Sequence, residues 1–137
     1  MGRILAVDDE LDMLSLIKMI IEGYSNHQVM TTNNPLEVAE LLSKERFDLI
    51  ITDLKMPGMD GMELLELAKK CDSEALIIMV TAFGSLESAE EAVRKGAFDY
   101  ISKPFRKEQL LLAIDKAMRW REMALQIEEL KGKLEKE

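Results

Sequence analysis

Phe47-Asp48-Leu49-Ile50-Ile51-Thr52-Asp53-Leu54-Lys55-Met56-Pro57-Gly58-Met59-Asp60-Gly61 is the stretch on which the fold turns. It opens with an apolar run, Leu49-Ile50-Ile51, flanked by Asp48 and by Thr52-Asp53. A short continuous run of this kind predicts a strand buried on both faces. The run ends at a carboxylate, and Met56-Pro57-Gly58 then forces a turn. Asp53 is therefore expected at the carboxyl end of a central strand, where open α/β sheets place their ligands. Taken alone, Asp53 could equally cap or turn the chain.

Working outward, other segments repeat the pattern. Arg3-Ile4-Leu5-Ala6-Val7 is an apolar run ending at Asp8-Asp9, and reads as the first strand. A helix is expected from about Glu10 to Glu22, with Leu11, Leu14, Ile17 (or Lys18) and Ile21 inward and Gly23 as its stop. His27–Thr32 reads as a short strand with Val29 inward. Asn34 and Pro35 suit the cap and first position of a second helix, with Leu36, Ala39 (or Glu40) and Leu42 buried. Residues 48–53 form the next strand, and Asp60 caps a helix reaching Cys71 through Leu64, Leu65 and Ala68. Ala75–Val80 is apolar throughout and ends at Thr81. Gly84-Ser85 opens a helix over Leu86–Lys95 with Gly96 as its stop, and Phe98–Ile101 is a last short strand before Ser102-Lys103-Pro104-Phe105. The final helix begins near Lys107 and meets no breaker until Gly132.

Strands of about five residues thus alternate five times with helices, the signature of a parallel sheet covered on both faces. Right-handed crossovers leave few ways to wind it. The expected architecture is a doubly wound, five-stranded α/β sheet in the order 2-1-3-4-5. That order centres the most continuously apolar strands.

Composition narrows the function. The 137 residues are 47% hydrophobic, enough for one domain with a sizeable core and an appendage. Ten Met are expected to fill core gaps. Cys71 is the only cysteine, which excludes an internal disulfide and disfavours a thiol metal cluster. No apolar run is long enough to span a bilayer, and Asp8-Asp9 arrives too early for a signal peptide, so a cytoplasmic location is expected. The net charge is −8; residues 1–105 hold 10 Lys and Arg against 19 Asp and Glu, net −9, while residues 106–137 hold 8 against 7. An acidic body argues against direct DNA binding. Neither G-x-x-x-x-G-K-[ST] nor G-x-G-x-x-G occurs.

In a parallel sheet the strand ends share one edge. Asp8, Asp9, Asp53, Thr81 and Lys103 therefore converge. Three carboxylates crowded together repel unless a cation lies between them. Hard oxygen ligands in a partly open site suit Mg²⁺, which keeps waters and accepts a phosphoryl oxygen. A central carboxylate can attack phosphorus, while Lys103 and Thr81 balance and hydrogen-bond the phosphoryl oxygens. Each residue has a plain alternative: Asp8-Asp9 and Thr81 as caps, Lys103 as a surface lysine. All of them holding together at alternating strand ends is the less economical reading.

These residues carry a resemblance. Val7-Asp8-Asp9-Glu10, Asp53 to Gly61, Thr81-Ala82, Gly96-Ala97 and Lys103-Pro104-Phe105 resemble the receiver domain of two-component response regulators, over residues 3 to about 120. The resemblance implies that Asp53 accepts a phosphoryl group from a sensor histidine kinase. It implies a Mg²⁺ site made by Asp9 directly, Asp8 through water, Asp53, and the Lys55 carbonyl. Lys103 would pair with the phosphoryl group, and its bond to Pro104 is expected to be cis. Thr81 and Tyr100 resemble the family's switch pair, which shifts the helix between them. No enzyme activity is implied beyond self-catalysed transfer and slow autodephosphorylation. The stretch from Thr81 to Phe105, followed by a long helix, looks more specifically like sigma-54-dependent activators of the nitrogen-regulatory type. There the helix leads to ATPase and DNA-binding modules, neither of which lies in these residues, so a receiver with its linker is expected.

The tail exceeds what a closing helix needs. Leu110, Leu111, Ile114 and Ala117 can pack on the sheet, but Trp120, Met123, Ile127, Leu130 and Leu134 continue at steps of three and four. That is a coiled-coil seam, so residues 1–119 are expected as the receiver and 120–137 as a linker helix forming a homodimer. The rival readings are a stand-alone dimeric signalling receiver without transcriptional output, a dimerisation module with a dead site, and a phosphohydrolase using an aspartyl phosphate. The hydrolase chemistry calls for an Asp two residues after the nucleophile, where Lys55 stands.

Overall fold

In the computed structural model, residues 2–82 and 84–135 are described. Five strands, β1 (Arg3–Val7), β2 (Gln28–Thr32), β3 (Leu49–Thr52), β4 (Ile77–Thr81) and β5 (Asp99–Ser102), form one parallel sheet in the order β2-β1-β3-β4-β5. This is the order expected from the sequence. The helices are α1 (Leu11–Tyr24), α2 (Val38–Lys44), α3 (Gly61–Cys71), α4 (Leu86–Arg94) and α5 (Lys107–Glu135).

Side chains on a strand alternate between faces, so each inner strand feeds two cores. Ile4 and Ala6 of β1, Leu49 and Ile51 of β3, and Ile78 and Val80 of β4 pack with α1 and α5. Leu5, Val7, Ile50, Ile77 and Met79 pack on the other face with Leu64, Leu65 and Ala68 of α3 and Ala92 of α4. Burying each such Leu or Ile stabilises the fold by about 1.5–3 kcal/mol. The strongest packing therefore lies under β1, β3 and β4, the three strands whose carboxyl ends carry Asp8, Asp53 and Thr81.

Local signals behave as expected at several ends. The Asp60 carboxylate accepts from Glu63 N at 2.8 Å, and Asn34 Oδ1 accepts from Leu36 N at 3.1 Å. Ser85 caps α4 and exchanges hydrogen bonds with Ser88. Gly96 follows α4 with φ +104°, a left-handed stop that glycine adopts without steric cost.

Elsewhere tertiary context wins. Leu11 and Leu36, expected inward, are 64% and 61% exposed. Leu11 lies on the first turn of α1, at the helix end that rises past the carboxyl edge of β1. Around Leu36 the chain opens as a 3-10 turn, Pro35–Glu37, where residues three apart eclipse. Pro35 and Val38 take the buried places, Ala39 is exposed, and Leu41 and Leu42 are half-buried. Gly23 does not stop α1; the helix runs to Tyr24, and the Ser25 hydroxyl donates to the Ile21 carbonyl at 2.5 Å. Gly132 likewise sits inside α5. A glycine inside a helix costs only about 1 kcal/mol, so it does not dictate a stop.

The Leu54 carbonyl accepts from Gly61 N at 2.6 Å, closing the loop after Asp53. An added Cβ at Gly61 would collide with the Asp53 carbonyl, Leu54 Cα and Met79 Sδ. Gly61→Ala is therefore expected to destabilise the domain by about 1–3 kcal/mol through overpacking. Urea denaturation checks this, and an unchanged midpoint would show that the loop yields freely.

Candidate functional site

The sheet ladder continues just past the strands. Asp8 N donates to the Thr32 carbonyl at 3.3 Å, Asp53 N to the Val7 carbonyl at 3.1 Å, and Lys103 N to the Thr81 carbonyl at 2.9 Å. These bonds fix Asp8, Asp53 and Lys103 at the carboxyl edge of the sheet. The Lys103–Pro104 bond is cis, as expected.

The side chains then meet. Lys103 Nζ donates to Asp8 Oδ2 at 2.8 Å and to Asp53 Oδ2 at 3.0 Å, and Glu10 Oε1 lies 3.8 Å away. The Lys103, Asp8 and Asp53 side chains are only 7%, 3% and 2% exposed. Asp53 Oδ1 accepts from the backbone N–H of Leu54 at 2.6 Å and of Lys55 at 3.4 Å. Asp8 Oδ1 accepts from Glu10 N at 2.9 Å. Thr81 is fully buried at the end of β4.

Asp8, Glu10 and Asp53 each bring a carboxylate oxygen within 4.8 Å of the others. This set differs from the expected trio. Asp9 lies outside the group and Glu10 within it, though both are exposed. The cause is local. The Asp8 carboxylate ties down Glu10 N–H and folds the chain back, leaving Asp9 at the tip of the turn.

One ammonium thus faces three carboxylates. Burial pushes the Asp8 carboxyl above its ordinary value, with the Asp53 charge adding to the shift and Lys103 offsetting it only in part. For Lys103, burial acts to lower the pKa, but hydrogen bonds to Asp8 and Asp53 and their charges outweigh it, so the net shift is upward. The site therefore keeps its lysine charged and remains short of positive charge. Its donors are all hard oxygens, which fits a divalent cation such as Mg²⁺ and would not fit a thiophilic one.

Tyr100, on β5, is half-buried, and its hydroxyl lies 3.0 Å from Ser88 Oγ on α4. A Cβ at Gly84 would collide with the Tyr100 hydroxyl and ring, so this glycine makes room for the side chain. The sequence showed Tyr100 as a switch candidate but gave no sign of Ser88 or Gly84 as its seat. Trp120, Met123, Ile127, Leu130 and Leu134, the expected seam, are 52–71% exposed within the single chain.

The family model described as response regulator receiver domain matches residues 4–115. The chain is 37% identical over 132 residues to the transcriptional regulatory protein GlrR of Escherichia coli, an alignment covering 88% of this chain and 29% of that protein. It is 35% identical over 116 residues to the sporulation initiation phosphotransferase F of Bacillus subtilis, covering 83% of this chain and 91% of that one. The crystal structure of NtrX from Brucella abortus superposes with a TM-score of 0.87 at 29% identity, over 94% of this chain and 29% of the other. The chain belongs to the response regulator receiver family. It spans less than a third of the length of GlrR. Membership makes it a phosphorylation-activated component of two-component signalling. No helix among the described residues is long and apolar enough to cross a membrane.

Lys103→Met would leave two buried carboxylates without their shared cation. A loss of about 3 kcal/mol or more is expected at neutral pH. Millimolar Mg²⁺ should restore part of it, because binding only the folded state stabilises that state. Urea melts with and without Mg²⁺ measure both effects; equal stability of variant and wild type would contradict the electrostatic account.

Proposed function

We propose that this chain is the receiver and linker of a sigma-54-dependent transcriptional activator, switched by phosphorylation of Asp53 from a sensor histidine kinase. The observation that carries this reading is the Lys103 ammonium held between Asp8 and Asp53 at 2.8 and 3.0 Å. Asp53 is the nucleophile: a carboxylate oxygen bonds to phosphorus as the bond from phosphorus to the donor breaks. The backbone N–H groups of Leu54 and Lys55 hold its other oxygen and so aim it. Lys103 stays charged and meets the new anionic oxygens, and the Thr81 hydroxyl donates to one of them. Asp8, Asp53 and the Lys55 carbonyl, with Asp9 or Glu10, are the residues to hold Mg²⁺, which supplies charge neutralisation on the phosphoryl oxygens. The chain catalyses its own phosphorylation and slow dephosphorylation and has no other enzyme activity.

The output is conformational. Thr81 shifts toward the phosphoryl group, Tyr100 follows, and α4 rearranges as a two-state element biased by the new dianion. Residues 1–119 form the receiver and 120–137 the linker, whose last two residues lie outside the described ones. Two linkers pair through Trp120, Met123, Ile127, Leu130 and Leu134 into a homodimer. The ATPase and DNA-binding modules of the whole activator would follow the linker, and the protein would work in the cytoplasm. The nearly full-length match to phosphotransferase F favours one second reading, a stand-alone receiver without transcriptional output.

Acetyl phosphate with Mg²⁺ tests the reading. Wild type should gain one phosphoryl group by intact mass and change its sedimentation, whereas Asp53→Ala should do neither. Ile127→Asp combined with Leu130→Asp should still be phosphorylated but sediment as a monomer. A phosphoryl adduct that survives Asp53→Ala would overturn the site, and an unchanged dimer would overturn the seam.

A further inference from the structure

α5 packs on the body through Leu110, Ala113, Ile114 and Ala117, and the next buried position on that stripe is Arg121. The spacing of 110, 114, 117 and 121 continues the apolar period, so an arginine occupies a core position. It is 7% exposed. Beyond it, no described residue of α5 is buried.

The guanidinium reaches three points at the amino edge of the sheet, opposite the phosphoacceptor. Nε lies 3.6 Å from Asp48 Oδ1, and Nη1 lies 3.9 Å from Asp72 Oδ2 and donates to the Glu74 carbonyl at 3.4 Å. Asp48 immediately precedes β3, and Asp72 is the residue that ends α3. These contacts are long, and Nε has no hydrogen-bond partner among the described residues. Replacing the whole cluster by apolar residues would often serve stability as well or better, but removing the guanidinium alone leaves Asp48 and Asp72 without its charge. What a forked cation adds is direction, because it favours only geometries that face its carboxylates.

We propose that Arg121 is a positioning residue that clamps the tail helix to the β3 and α3 ends and thereby fixes where the tail leaves the body. Past Ala117 the apolar support thins to Met118, half-buried on the core, and Trp120, whose ring centroid lies 6.5 Å from that of Phe98, and a helix without support frays in water. The clamp carries helical order another turn and presents the following residues in a set direction. The seam from Trp120 to Leu134 is offset by one position from the buried stripe, about 100° around the helix. An ordered tail therefore offers the seam beside the body rather than into it. Only the benefit to dimer formation rests on the proposed linker pairing; the clamp itself acts within one chain.

Amide hydrogen exchange tests it on the full chain. In Arg121→Met, protection over residues 118–130 should fall about tenfold, the size of losing a hydrogen bond from a charged donor. Protection over β1, β3 and β4 should stay unchanged, and Arg121→Lys should recover part of the loss. The same comparison in the Ile127→Asp, Leu130→Asp background removes any contribution from paired tails, so a failed seam and a failed clamp give different results. Unchanged tail protection in Arg121→Met would overturn the proposal. So would an equal loss across body and tail, which would make Arg121 an ordinary core residue.

Discussion

The ammonium of Lys103 lies between carboxylates 95 and 50 residues away in sequence, those of Asp8 and Asp53. Bringing them together requires β5 beside β4, β4 beside β3 and β3 beside β1, the order observed. Two carboxylates buried this deeply would be intolerable without a cation. The pairing ties the far edge of the sheet to its centre. It also leaves the cluster short of positive charge, because Glu10 joins the same group of oxygens. A site with this deficit is suited to receive a divalent cation and then a phosphoryl group, whose added charge Lys103 already faces.

The rigid and the movable parts divide along the packing. β1, β3 and β4 are buried on both faces, whereas α4 contributes a single fully buried residue, Ala92. α4 is held instead by polar contacts near its ends. Ser88 meets the Tyr100 hydroxyl, and Lys95 just past the helix bridges to Glu66 of α3 at 2.7 Å. The second pair is exposed and contributes little to stability. An element attached in this way can be repositioned at small cost, which is what the proposed switch requires of it.

Much of this was legible in the residues. Five apolar runs with polar ends marked the strands and put Asp8, Asp53 and Lys103 at one edge, because period and length are strong signals in buried parallel strands, while the order followed from the doubly wound pattern with the most apolar strands at its centre. Helix faces are less legible. Leu11 and Leu36 fit the helical spacing but fall at ends where nothing covers them, and spacing alone does not say where a helix overhangs the sheet. Gly23 and Gly132 looked like stops, yet a single glycine is outweighed by neighbouring packing. Within Asp8-Asp9-Glu10, spacing does not show that Glu10, itself exposed, has its N–H held by the Asp8 carboxylate and brings an oxygen near Asp8 and Asp53. Arg121 was hidden because an arginine in an amphipathic helix ordinarily reads as solvated. Its place on the 110–114–117 stripe was the available sign.

The proposed switch requires that the oxygens of Asp8 and Asp53, opposite Lys103, form one divalent-cation site that prepares Asp53 for phosphorylation. Titration calorimetry with Mg²⁺ on the unphosphorylated chain tests it most directly. Wild type should bind Mg²⁺ at a single site per chain, and binding should be strongly weakened in both Asp8→Asn and Asp53→Asn. Absence of a site in wild type, or undiminished binding in both variants, would contradict it.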